Sequence, residues 1–453
     1  LILFLFTFIH SFSQDFKNEW REVVQFELDG KIKSAHEKVN AIYKKAKRKN
    51  IDDQVIKCFF YQSKFLQISE ENYQTIVIAN LTAEIKQSKG SKKAILNSIY
   101  ISILESYYQS FRYNINQRTN LKQNSSRDFK TWTQAEFQKE IGETYDYLLK
   151  DEGELRETNT NVFASILEIS PYTDAKNMTV YDFLQTKVIS HYFGSLYYLK
   201  EKRYQSLVPK LISNSEAFVQ LKTDTILIPS LKKGLEILQN DERFGFKNNQ
   251  DLHVLQYSRM KLFFPYIGKD EMYFHELSIL EKKSKNNYLK QDIKVDFANY
   301  YASLTTKESK KNYYPEVLAI IDTILNQREN PNAKANAETL KERILGKQIT
   351  LNVPSEIYPN QNFRAFVDFK NIDTLKVSYY KIPIGILKKL QEVNRYTRNF
   401  KNEYINRDSI ALSFIEKNKV VKSVFKILPK KSDHFSYTTE ILMDSLTVGS
   451  YLL

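Results

Sequence analysis

Apolar residues recur at alternating steps of three and four through the first part of the chain. Ile32, Ala35, Val39, Ile42 and Ala46 form one such stripe, the pattern of an amphipathic helix with a single buried face. Gly30 separates it from an earlier helix carrying Trp20, Val23 and Val24. A third helix carries Val55, Ile56, Phe59 and Leu66, and a fourth, after Gly90, carries Ile95, Ile99, Ile103 and Tyr107. Further helices are predicted over 133–149, 179–199, 203–220, 226–238, 250–263, 270–283 and 287–303. Pro315 opens a helix with Val317, Ile320, Ile321 and Ile324, Asn330-Pro331 breaks it, and a last helix runs from Asn332 to Leu345. Helices of this length joined by short turns read as stacked hairpins, an α-solenoid of tetratricopeptide-like form, although no strict repeat motif is present.

The period changes at Gly346, where a left-handed helix cap is expected. Residues 348–353 read as a short strand stopped by Pro354 and Pro359. Phe363, Ala365, Val367 and Phe369 then alternate with Arg364, Asp368 and Lys370, broken on the polar side by Phe366, as in a half-buried strand. Asn371-Ile372-Asp373 turns the chain into a second alternating run through Leu375, Val377 and Tyr379. A basic stretch over 384–418 reads as partly helical, and 420–428, 435–442 and 447–453 read as strands. The expected class is α + β and multidomain: a helical hairpin array over 14–346, then an antiparallel β-sandwich over 347–453 that is incomplete at its C-terminal end.

Residues Leu1 to Ile9 are apolar apart from Thr7, and Ser11 and Ser13 stand where a signal peptidase would read small residues. This segment, 1–13, reads as part of a signal peptide, too short to span a bilayer and leaving no transmembrane helix after its removal. Export to the periplasm or cell envelope is the expectation. The single Cys58 allows no internal disulfide, so packing must supply the stability. The net charge of +14 raises the question of a polyanion partner, but 53 acidic residues are interspersed with the 67 basic ones. The densest basic run, Lys44 to Lys49, ends a predicted helix, where cations complement the dipole. A solvated face is the reading, with no nucleic-acid partner.

Catalytic signals are sparse. His10, His36, His191, His253, His275 and His434 show no zinc-type spacing, and there is no nucleophile elbow, phosphate loop or dinucleotide fingerprint. Cys58 lies in an apolar helix beside Phe59-Phe60, which predicts a buried, inert thiol. Thr179 and Asp182 are spaced as a capping box. Asp182 and His191, nine residues apart, fall on opposite faces of a helix and cannot act as a pair. The tyrosine pairs 107–108, 197–198 and 300–301 suit large helix interfaces or a concave recognition surface. No catalytic, cofactor-binding or metal-binding residue is assigned, and no cofactor is expected. A binding role is the expectation, with no enzymatic activity.

Several segments, in order, resemble the amino-terminal region of alpha-2-macroglobulin family proteins of Bacteroidetes. Residues 30–43 resemble that family's opening helical repeat, as do 91–100 and 179–184. The segment Leu351-Asn-Val-Pro-Ser-Glu-Ile-Tyr-Pro-Asn-Gln resembles the start of its first macroglobulin-like domain, and 437–441 and 446–452 resemble later strands. The resemblance implies an envelope endopeptidase inhibitor, a trap built from many sandwiches, a bait segment and, in some members, a Cys-x-x-Gln-type thioester. Cys58 is followed by Phe59-Phe60-Tyr61 and does not match that thioester. This part would be a protein-binding platform, its partners proteases engaged through other regions or another envelope protein. The competing expectation is a stand-alone helical scaffold that binds a protein or glycan.

Overall fold

The spacing of three and four does build helices in the computed structural model, which describes residues 6–119, 128–167, 178–194, 196, 199, 204, 206–267, 271–309, 311–327, 329–393 and 406–453, without the side chains of 6–15. Most of the described chain is helical, with two small antiparallel sheets near its end. It divides into two compact units, 1–273 and 274–453. The first holds α1 (Phe6–Leu28), α2 (Ile32–Lys49), α3 (Asp52–Ser69), α4 (Tyr73–Gln87), α5 (Gly90–Asn116), α6 (Gln134–Tyr147), α7 (Glu152–Glu157) and α8 (Val180–Tyr192). Two short helices, α9 (Val208–Leu211) and α10 (Ser215–Val219), then lead to α11 (Pro229–Lys247) and α12 (Leu252–Ile267). The apolar start over 1–5 and the pair Tyr197-Tyr198 lie outside the described residues. No helix among the described residues is long and apolar enough to cross a membrane.

In α2 the stripe is where the sequence places it: Ala35, Val39, Ile42 and Ala46 are buried. Helix α4 was not legible. Its Thr75-Ile76-Val77-Ile78 run is β-branched and blurs the helical period, and only Val77, Ile78, Leu81 and Glu84 turn inward. The single helix predicted over 203–220 is corrected to α9 and α10. Pro209 stands in the first turn of α9, and Asn214 starts a new helix by accepting the Ala217 N–H at 2.9 Å. The capping box is present: the Thr179 hydroxyl accepts from the Asp182 N–H at 3.1 Å, and the Asp182 carboxylate accepts from the Thr179 N–H at 3.0 Å.

Glu84 fixes α4 to its neighbours. It is 4% exposed and accepts from Tyr43 Oη at 2.7 Å and Lys47 Nζ at 2.9 Å on α2, while Lys92 Nζ of α5 lies 2.9 Å away. Burial opposes ionisation of this carboxyl, but those three donors outweigh it and hold the group below the usual carboxylate range.

The boundary between the units falls inside α13 (Glu271–Lys283), a helix with neither glycine nor proline to announce it. Helices α14 (Asn287–Leu304), α15 (Tyr314–Leu325) and α16 (Pro331–Leu345) belong to the second unit with the sheets. The change from helix to strand at Gly346 thus lies inside that unit. Its expected left-handed cap is corrected: Gly346 has φ −55° and ψ 135°. Its N–H still reaches the Glu342 carbonyl at 2.7 Å, and the chain then turns directly into strand. The final carbonyls of α16 are satisfied from outside the helix. Asn371 Nδ2 donates to Ile344 and Gly346, and Lys370 Nζ donates to Arg343. Glycine is required for space, because a Cβ at Gly346 would sit 2.5 Å from the Glu342 carbonyl oxygen.

The strands are β1 (Gln348–Asn352), β2 (Phe363–Lys370) and β3 (Thr374–Ile382), then, after α17 (Ile384–Glu392) and α18 (Arg407–Lys417), β4 (Lys422–Ile427), β5 (Tyr437–Met443) and β6 (Ser450–Leu452). They form antiparallel sheets ordered β1-β2-β5 and β4-β3-β6. The alternation sets which side is buried: Ala365, Val367 and Phe369 of β2 and Val377 and Tyr379 of β3 enter one core with Ile441 and Met443 of β5. Phe366, which interrupts the polar side of β2, is exposed. Strand β6 pairs with β3 only over Tyr380–Ile382. Beside 374–379, β3 therefore carries β4 on one edge and no other strand among the described residues.

Candidate functional site

Two clefts of the first unit combine shape with chemistry. The larger is an apolar groove of about 670 Å³ walled by α3, α4 and α5. Helix α5 makes it possible by being apolar on two sides. Ala94, Ile95, Ile101 and Leu104 are buried in the core, and Ile99, Ile103 and Tyr107, half-buried against that core, also line the groove. Phe59 of α3 and Val77 and Leu81 of α4 complete its apolar lining. Ser98, Ser102, Ser106 and Ser110 follow one another at single turns along the α5 wall. Tyr107 closes one end, its ring 4.8 Å from Phe129 in an edge contact and 4.7 Å from Phe111.

Behind the serine row stands Lys187 of α8. Its Nζ donates to the Ser98 carbonyl at 2.8 Å, the Ser98 hydroxyl at 3.3 Å and the Ser102 hydroxyl at 2.5 Å. Burial lowers the pKa of this ammonium, and Glu105 opposes that from a distance.

The second cleft, about 520 Å³, is lined by Tyr145, Asp146, Tyr181, Tyr192, Lys233 and Asn240 among others. Asp146 is its electrostatic centre: Lys233 Nζ lies 2.7 Å away, and Tyr192 Oη donates to the same carboxylate. Asn240 Nδ2 donates to Glu152 at 2.9 Å. Below it, Arg156 pairs with Glu152 at 2.8 Å and with Asp241 at 2.9 Å, and its guanidinium stacks 3.5 Å over the Tyr181 ring. The next residue, Glu242, carries a second buried pair with Arg259 at 2.6 Å.

The family models, the curated proteins and the solved structures contain no match to this chain. What the clefts can bind follows from their linings. The first suits an elongated apolar group. The second offers aromatic rings and paired charges to a polar ligand.

The residues singled out by sequence are not gathered at either site as a reactive set. Cys58 is fully buried and its thiol is pushed up to about 12 by desolvation. No group of three or more His, Cys, Asp and Glu among the described residues could hold a metal ion. In the basic run of α2, Lys45 pairs with Glu19 at 2.8 Å and Lys47 with Glu84 at 2.9 Å. His36 lies 6.3 Å from the Phe65 ring, His253 beside Asp251, and His434 Nδ1 2.9 Å from Asn371 Oδ1. The side chain of His10 lies outside the described residues.

His191 is the histidine with a consequence for stability. Its ring stacks on Tyr145 at 3.8 Å at the edge of the second cleft. Desolvation lowers its pKa below the ordinary 6.5, against the pull of Glu105 and Asp146 and with the repulsion of Lys233. The unfolded chain therefore binds this proton first as pH falls. Stability contributed above 6.5 is lost as pH drops toward the lower folded value. His191→Phe keeps the stacking and removes the titration. Urea midpoints measured at about pH 7.5 and about pH 5.5 are expected to differ less in this variant than in the parent. An unchanged difference would show that His191 does not titrate with folding.

Proposed function

We propose that the chain acts by binding, as the amino-terminal part of an alpha-2-macroglobulin-like endopeptidase inhibitor of the cell envelope. The observation that carries this reading is the shared core of the two sheets, β1-β2-β5 and β4-β3-β6, following a long helical region. A core shared by residues of both sheets supports the β-sandwich that the resemblance implies. Successive helices packed as hairpins, α1 on α2, α2 on α3 and α3 on α4, suit a solenoid-like platform for a protein partner. Export belongs to the same proposal and rests on the apolar residues at the start of the sequence.

A stand-alone helical scaffold is the competing reading, favoured by the two open clefts of the first unit. The coding sequence beyond the Leu453 codon separates them. Continuation into a series of further β-sandwiches is the expected result. A stop codon directly after Leu453 would remove the inhibitor reading and leave the scaffold.

A further inference from the structure

We propose that the open edge of β4 binds an extended acidic peptide as an added strand. Strand β4 lies at the edge of its sheet, with β3 on one side and no strand on the other among the described residues. Its outward face carries Phe425 and Ile427, which are 68% and 88% exposed. The Leu428 N–H donates to the Asp373 carbonyl at 2.9 Å, and bonding residues alternate along an antiparallel ladder. Lys422, Val424 and Lys426 therefore bond to β3, while Ser423, Phe425 and Ile427 turn their N–H and C=O groups to the open edge. The same residues thus present backbone partners and apolar side chains, the combination that recognises a peptide by strand addition.

Charge selects the occupant. Six lysines stand between Glu416 and Asp433 with no acidic residue among them. Lys422 and Lys426, on the half-buried face of β4, share one carboxylate, Asp444, at 2.9 and 3.2 Å. Lys419 and Lys430 are exposed beyond the two ends of the strand, and no carboxylate among the described residues pairs with either. A second copy joined edge to edge would set these lysines against themselves, and like charges opposite one another destabilise a sheet. A peptide alternating carboxylate and aliphatic residues avoids that conflict. Its aliphatic side chains lie beside Phe425 and Ile427, and its carboxylates lie beside Lys422 and Lys426. Lysines on an edge strand also deter aggregation, but those of β4 point away from its apolar face. Lys376 of β3, 5.9 Å over the Phe425 ring, adds one more cation there.

The test is a fluorescence-anisotropy titration of the intact chain with a fluorescein-labelled peptide of alternating glutamate and valine, about ten residues long. Saturable binding that weakens as salt rises is the expected result. The same peptide N-methylated at each valine keeps its charge but loses the N–H groups that pair with the edge, and is expected to bind roughly tenfold more weakly or worse. Ser423→Pro removes an edge N–H while sparing the bonds to β3. It is expected to weaken binding by a similar factor in a chain with a normal melting curve. Lys419→Glu with Lys430→Glu changes exposed charge alone, and is expected to cost roughly tenfold at low salt. Absence of saturable binding would overturn the proposal, as would undiminished binding in these variants. Equal affinity for the N-methylated peptide would do the same by reducing the edge to a polyanion patch. A dimer of the chain alone that Ser423→Pro dissociates would instead place a second copy on β4.

Discussion

Arg259→Ala is expected to lower the unfolding free energy of the first unit by about 3–5 kcal/mol. Arg259 is 1% exposed and its partner Glu242 only 2%. The guanidinium Nε lies 2.6 Å from the carboxylate, a second nitrogen donates to the Ser213 carbonyl at 2.7 Å, and another donates to Leu211. The group also stacks 3.9 Å over the Phe218 ring. It therefore ties α12 to α11 and to the α9–α10 connection. Desolvation pushes the Glu242 carboxyl up and the Arg259 guanidinium down, each opposed by its partner. Truncating the arginine leaves a buried carboxylate and two carbonyls without their donor. Replacing both partners, as Arg259→Met with Glu242→Leu, removes the orphaned charge and is expected to recover most of the loss. Urea denaturation of the two variants measures the difference. A cost below about 1 kcal/mol for Arg259→Ala would mean that the pair is solvated.

Which parts of this architecture the sequence disclosed follows from the range of the forces involved. The α2 stripe was legible because that helix buries one face only, and the capping box at Thr179 because its partners are three residues apart. The strands were legible from the alternation of Ala365, Val367 and Phe369. Two-faced α5 was legible as a helix, but apolar residues on both sides give no sign of which of them also border a groove. The long-range lysine contacts were invisible for a different reason. Lys47 and Glu84 are 37 residues apart, and Lys187 and Ser98 are 89 apart. No local pattern encodes such pairings, and a lysine in a helix reads as solvated until packing surrounds it. Gly346 was legible as a helix end, but the carbonyl caps it leaves to Asn371 and Lys370 depend on a strand turn that local sequence does not place.

Glu84→Ala is expected to destabilise the first unit by about 3 kcal/mol or more at neutral pH, again through orphaned buried groups. Three donors converge on this carboxylate, and two of them are lysines. Lys92 is itself mostly covered, with Asp52 at 3.3 Å as its other counter-ion. Removing Glu84 leaves Lys92 short of charge compensation, strips Tyr43 of its acceptor and frees Lys47 to solvent. It also cuts the polar link that holds α4, whose own apolar face is narrow, between α2 and α5. Because the folded carboxyl titrates below its ordinary 4.5, its contribution is present above that value and is lost as pH falls through the lower folded pKa. The parent should therefore lose stability over that acidic window more steeply than Glu84→Ala, and the two urea curves should converge. Glu84→Gln separates charge from shape. It retains hydrogen-bond acceptance from Tyr43, and its expected loss at neutral pH is intermediate. If the gap between parent and Glu84→Ala stayed constant down to acid unfolding, the carboxylate would not be the group that fastens α4.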